Sequence, residues 1–251
     1  YNWLKKFRNC GLIKQVESSK DTAIFDTNVN QHHHFLNEET GELIDIENDE
    51  LSFVNNYSEI EYKQNFNVAP QNQAPCIIDN NLIIANWGYF PEWLKSQSNP
   101  RPLFNTRYES LLEKKTFTSA FKNSRCLIPI SGWYEWKEED GIKQPYYFFD
   151  TTKRLLFAAG LYWKRSSGDI ETSIITREAV SSLHPIHNRS PLLLTKKQRD
   201  QWVSNLSSEE IYTKILDYTY DDIEFHKVDR AVNNPKNNND SLIQRFEEVP
   251  F

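Results

Sequence analysis

The run Arg125-Cys126-Leu127-Ile128-Pro129-Ile130-Ser131-Gly132-Trp133-Tyr134-Glu135-Trp136-Lys137 carries the carboxylate best placed for proton transfer. Alternate side chains of an extended strand share a face. Trp133, Glu135 and Lys137 therefore point one way, and Tyr134 and Trp136 the other. A carboxylate between tryptophans sits in low dielectric, which favours its protonated form and raises its pKa. That is how a general acid is tuned. The same pattern also fits an edge strand whose Glu135 faces water, and the run alone leaves both readings open.

Two further runs hold complementary groups. In Phe104-Asn105-Thr106-Arg107-Tyr108-Glu109, strand alternation puts Asn105, Arg107 and Glu109 on one face. In His184-Pro185-Ile186-His187-Asn188-Arg189-Ser190-Pro191, two prolines bracket a histidine and an arginine, with a second histidine just ahead, so the run reads as a loop, where functional groups concentrate. Histidine exchanges protons near neutral pH. Asparagine both donates and accepts. The guanidinium forks of Arg107 and Arg189 suit phosphate. Trp87, Trp93 and Trp133 offer faces on which bases can stack. Core packing competes equally for Trp87 and Trp133, and is the expectation for Trp93, Trp136 and Trp163. His184 is expected to play a local structural role.

Taken in order, these runs resemble the SRAP family, the SOS-response-associated peptidase fold. Further matching pieces are Asn67-Val68-Ala69-Pro70, Trp87-Gly88-Tyr89-Phe90-Pro91-Glu92-Trp93, Gln144-Pro145-Tyr146-Tyr147, Ile174-Ile175-Thr176 and Val232-Asn233-Asn234. The resemblance spans roughly residues 60 to 245. It implies an α+β fold, a distorted antiparallel β-barrel with peripheral helices, in a single domain over residues 1–251 with a polar acidic insertion around 21–62.

The resemblance also implies a function. Members capture abasic sites in single-stranded DNA through a cysteine that becomes residue one. A terminal α-amine titrates near pH 8, well below lysine, so a useful fraction is neutral near pH 7. That amine attacks the aldehyde of a ring-opened abasic sugar, and the adjacent thiol closes a thiazolidine. Carried onto this chain, Asn105, Glu135 and His187 are the expected catalytic residues. Arg107, Arg189, Trp87, Trp133, Asn67, Pro70 and Asn233 are the expected DNA contacts. A thiol autopeptidase or peptidase, and a non-covalent single-strand binder, are the alternatives. No cofactor and no metal are expected.

The opening departs from the family's Cys-Gly-Arg. Here Cys10-Gly11-Leu12 follows nine other residues, and the chain contains no methionine. Either the reactive cysteine precedes Tyr1, or Cys10 becomes terminal after cleavage at Asn9-Cys10. The first is favoured by the absent methionine, the missing arginine and the helical pattern read around Cys10. Cys76 and Cys126 lie inside apolar runs and are expected to be buried and inert.

Composition limits the partners. Net charge is -6, so no global basic field announces nucleic acid, but the charge is segregated. Nine acids and no Lys or Arg lie between Asn37 and Tyr62, whereas seven basic residues face three acids between Arg101 and Lys137. A local basic stripe can bind phosphate despite an acidic total. Three cysteines make no disulfide framework. No apolar run is long enough to span a membrane. The expectation is an intracellular monomer, in nucleoid-associated cytoplasm or nucleus, with single-stranded DNA as its partner.

Several elements must position these groups. Residues 1 to 20 read as helical. His32-His33-His34 reads as loop composition, because three adjacent histidines cannot all face one ion on a regular element. Two β-type runs flank Asp79-Asn80-Asn81, a hairpin signal. The Arg125–Lys137 run reads as two strands joined at Ser131-Gly132. Short helices are expected over 108–115 and 116–123, and strands over Tyr146–Phe149, Leu155–Trp163, Ile170–Thr176 and residues 223–228. Thr195…Gln198 and Ser207…Glu210 have capping-box spacing.

Overall fold

The computed structural model describes residues 64–152, 154–216, 220 and 222–246, together with the backbone of four short strands nearer the N-terminus. The chain forms two compact units, Tyr1–Ser52 and Phe53–Phe251. In the first, β1 (Lys14–Val16) pairs antiparallel with β2 (Ile24–Asp26), and β3 (His32–Leu36) with β4 (Leu43–Glu47). The helix expected over residues 1 to 20 therefore gives way to strand at Lys14–Val16. His32-His33-His34, read as loop, lies on a paired strand. Cross-strand pairing overrides local periodicity in both places. Cys10 and the rest of these expectations fall outside the described residues.

In the second unit the elements run β5 (Gln73–Ile78), β6 (Asn81–Trp87), β7 (Asn105–Arg107), α1 (Lys115–Asn123), β8 (Arg125–Ile130), β9 (Gly132–Glu139), β10 (Ile142–Asp150), β11 (Leu156–Lys164), β12 (Ile170–Glu178), β13 (Arg189–Pro191), α2 (Lys196–Trp202), α3 (Ser208–Lys214) and β14 (Ile223–Lys227). Pairing in the order β11-β8-β5-β6-β12, with β12 returning to β11, closes a five-stranded barrel. This is the α+β barrel expected, with one difference. The β6–β12 seam is parallel, as is β7 against β12. The 3-10 turn at Tyr108–Ser110 and the single helix α1 replace two short helices.

A second sheet, β14-β10-β9, lies beside the barrel and shares its core. Cys76, Cys126, Ile128 and Ala158 from barrel strands and Tyr146, Phe148 and Ile223 from the second sheet form one buried cluster. Both cysteines are buried, as their apolar runs suggest. Burial, then contact with Cys76, pushes the Cys126 thiol up and keeps it unreactive.

Local chemistry explains several joints. Asp79 and Asn80 link β5 to β6 with φ of 48° and 60°, the left-handed pair that a two-residue hairpin turn requires. Both expected capping boxes form, at Thr195 with Gln198 and at Ser207 with Glu210. Arg125 ties two helix ends to the barrel. Its guanidinium donates to Phe121 O (2.7 Å) behind α1, and to Trp202 O and Ser204 O (both 2.7 Å) behind α2. A cation is favoured there by the unpaired carbonyls of helix C-termini.

The run Arg125–Lys137 is not a hairpin. β8 pairs with β11 and β5, whereas β9 pairs with β10. The chain leaves the barrel at Ser131 and enters the second sheet at Gly132. A Cβ at Gly132 would fall against the Phe148 carbonyl oxygen and the Tyr147 hydroxyl. Only glycine fits this crossing.

Candidate functional site

The crossing at Gly132 carries Glu135 to a sheltered position. On β9, Glu135 stands opposite Tyr146 of β10, which stands opposite Lys227 of β14. Its side chain is 22% exposed. Burial raises its pKa to about 7, against a smaller lowering by His187. Of the two readings of this carboxylate, the sheltered one holds.

His187 arrives from the loop between β12 and β13. Leu183 and Ile186 anchor that loop in the core. The Leu183 carbonyl accepts from the amides of Ile186 (3.1 Å) and His187 (3.2 Å). His187 Nδ1 then lies 3.4 Å from Glu135 Oε2. The same nitrogen lies 3.0 Å from the Arg189 carbonyl oxygen and 3.3 Å from the Arg189 amide nitrogen. When it carries a proton it can donate to that carbonyl or to Glu135. When bare it accepts from the Arg189 amide. A carboxyl and an imidazole in this arrangement can pass a proton between them near neutral pH. His184 instead bonds through Nε2 to Ala179 O (2.8 Å), the local structural role expected of it.

β12 gathers the rest. Asn105 lies opposite Ile174, and Arg107 opposite Thr176. Trp87 lies opposite Thr172 on the same strand. Asn105 and Arg107 are exposed on either side of buried Thr106, as strand alternation demands. β7 ends at Arg107, so Glu109 falls in the following 3-10 turn. Trp87 is half-buried, donates its indole N–H to Phe104 O (2.8 Å), and meets the Phe104 ring edge-on at 6.1 Å. Exposed Pro70 sits in the turn beside it, where Gln71 takes φ 74° and donates its amide to Trp87 O (2.7 Å).

The structure shows the surroundings of five more residues singled out in the sequence. Trp133 is partly buried, stacks on Phe148 (4.9 Å) and packs against the core. Asn67 is buried, and its amide nitrogen donates to Val232 O (3.0 Å), Asn234 O (3.1 Å) and Asn237 O (3.2 Å). It holds the loop that carries Asn233. The Arg189 guanidinium, expected at phosphate, is paired with Glu109 (2.8 and 2.9 Å) and with Thr176 O (2.6 Å). Conversely, Trp93 and Trp136, expected in the core, are 52% and 39% exposed. Trp136 donates its indole N–H to Oδ1 of exposed Asn233 (2.7 Å), so the loop pinned by Asn67 meets the outer face of β9. Strand alternation already separates Trp136 from Glu135; only the packing shows that its side of β9 is partly open.

Among the described residues, no three His, Cys, Asp or Glu side chains gather as a metal site.

A family model described as SOS response associated peptidase (SRAP) matches residues 29–235. Over 195 residues the chain is 34% identical to the Bacillus subtilis "Abasic site processing protein YoqW", covering 73% of this chain and 87% of that one. Against the Escherichia coli "Abasic site processing protein YedK" it is 28% identical, covering 71% and 83%. Among solved structures, a Bacteroides thetaiotaomicron protein superposes with a TM-score of 0.61 at 26% identity, covering 70% of this chain and 82% of that one.

Proposed function

Because this chain belongs to the SOS response associated peptidase (SRAP) family, we propose that it recognises abasic sites in single-stranded DNA and traps them as a covalent thiazolidine through an N-terminal cysteine. The pairing of Glu135 with His187 at 3.4 Å, with the carboxyl raised to about 7 by burial, is the observation that carries this reading. Its likeness to the abasic site processing proteins YoqW and YedK supports it.

Protonated Glu135 donates to the sugar ring oxygen as the hemiacetal opens to the aldehyde. The terminal amine adds to that aldehyde, water leaves, and an imine forms. The thiolate adds to the imine carbon, and the imine nitrogen takes up a proton. The net change is aldehyde plus aminothiol giving thiazolidine plus one water. His187 restores the proton on Glu135. Asn105 orients the amine or a sugar hydroxyl, and Arg107 takes a flanking phosphate. Exposed Trp136 and half-buried Trp87 offer faces to bases.

The test mixes protein bearing a free N-terminal cysteine with an abasic single-stranded oligonucleotide. A band that survives SDS is expected, formed about 10²-fold more slowly by Glu135→Gln. No SDS-stable adduct would overturn the reading. The same pair could serve one-time removal of residues ahead of the cysteine. Repeated cleavage of an unrelated peptide would make the protein a peptidase instead.

A further inference from the structure

Glu109 connects the two runs that flank the proton-handling pair. It follows Arg107 by two residues in the 3-10 turn after β7, and its carboxylate grips Arg189 with a two-pronged fork, Oε1 to Nη1 at 2.8 Å and Oε2 to Nη2 at 2.9 Å. That pairing, more than any other influence, lowers the Glu109 pKa. Arg189 in turn frames His187 with its own backbone, the carbonyl oxygen 3.0 Å and the amide nitrogen 3.3 Å from Nδ1.

We infer that Glu109 is a positioning residue: by clamping Arg189 it fixes the backbone that holds the His187 ring against Glu135. This rests on the reading of Glu135 and His187 as the proton-handling pair.

The Arg189 backbone is paired with Glu178 of β12, and the Asn188 carbonyl before it accepts from the Ala179 amide (3.0 Å), so the side-chain clamp acts at the end of a short ladder. β13 is three residues long and, among the described residues, pairs with Thr176, Arg177 and Glu178. The Arg189 side chain is 22% exposed, and its Nε is buried without a partner among the described residues. Glu109 and the Thr176 carbonyl therefore set the place of the guanidinium. Bidentate geometry fixes direction as well as distance. A half-exposed ion pair of this kind contributes little to global stability, so its consequence lies in geometry.

The charged and titratable neighbours of Glu135 identify the signal to follow. Lys137 lies on its own strand, Tyr146 across on β10 and Lys227 beyond on β14. All three are directed to Glu139, at 3.7 Å, 2.7 Å and 2.9 Å respectively. His187 is the charged neighbour that acts on Glu135, and it acts to lower the carboxyl.

The experiment is a carbon-13 titration of the Glu135 carboxyl in free protein without DNA, with Glu135→Gln assigning the resonance. In Glu109→Gln the midpoint should rise by about half a unit or more, because the imidazole no longer faces the carboxyl squarely. Arg189→Lys, which keeps the charge but loses the fork, should shift it the same way. Glu109→Asp should restore part of the parent value. The thermal midpoint of Glu109→Gln should stay within about 2 °C of the parent. An unchanged Glu135 midpoint in both Glu109→Gln and Arg189→Lys would overturn the inference. So would tighter, more salt-dependent DNA binding by Glu109→Gln without a midpoint shift, which would make Glu109 a mask over a phosphate ligand. Because the titration uses no DNA, failure of the abasic-site reading leaves its outcome interpretable.

Discussion

Glu135 of β9 and His187 of the loop before β13 meet at 3.4 Å although they come from different sheets, and burial holds the carboxyl at about 7 rather than its ordinary 4.5. The pair links β9 of the second sheet to the loop that leaves β12 of the barrel.

The raised carboxyl fixes the sign of the pH dependence. A step needing protonated Glu135 declines as pH rises through about 7. Stability follows the same sense, since the folded pKa exceeds the unfolded one. The contribution is present in full below 4.5 and is lost as pH climbs through about 7. Glu135→Gln stays neutral, so it should be more stable than the parent at about pH 8, by on the order of 2 kcal/mol, and should match it near pH 4. Denaturant titrations at the two pH values check this.

Arg107 is exposed on β7, beside Asn105 and two residues before Glu109. Arg107→Ala should weaken single-strand binding by about the same factor on every sequence and reduce the salt slope by about one unit. Fluorescence anisotropy over a salt series reads both. Binding and slope equal to the parent would remove Arg107 from the interface.

Asn67 fastens the loop that carries Asn233, through three backbone carbonyls. Asn67→Ala removes the donor and takes from the buried Val232 carbonyl its side-chain partner, at a cost of about 2 kcal/mol. The denaturant midpoint should fall with no change in slope.

Gly132 is the crossing point between barrel and second sheet. Gly132→Ala would drive a methyl group into the Phe148 carbonyl and the Tyr147 hydroxyl. About 3 kcal/mol of destabilisation is expected, since neither the backbone oxygen nor the packed ring can yield freely. The same variant should displace Glu135 and return its carboxyl toward 4.5, which a carboxyl titration would detect.

Much of the local structure was legible from residue types. Asp79-Asn80 specified a tight turn, and the spacings at Thr195 and Ser207 specified helix starts, because each of these depends on neighbours a few residues away. Alternation placed Glu135 and Trp136 on opposite faces of one strand for the same reason. The resemblance supplied the barrel. What only the tertiary structure decided was pairing at long range. It separated β8 from β9, made β6 and β7 run parallel to β12, and brought His187 to Glu135. It gave Arg189 to Glu109 and Asn67 to the C-terminal loop. It also turned Trp133 into the core and left Trp136 partly open. A residue's chemical type limits what it can bond, but which partner comes within reach depends on strands that meet only when the sheets close.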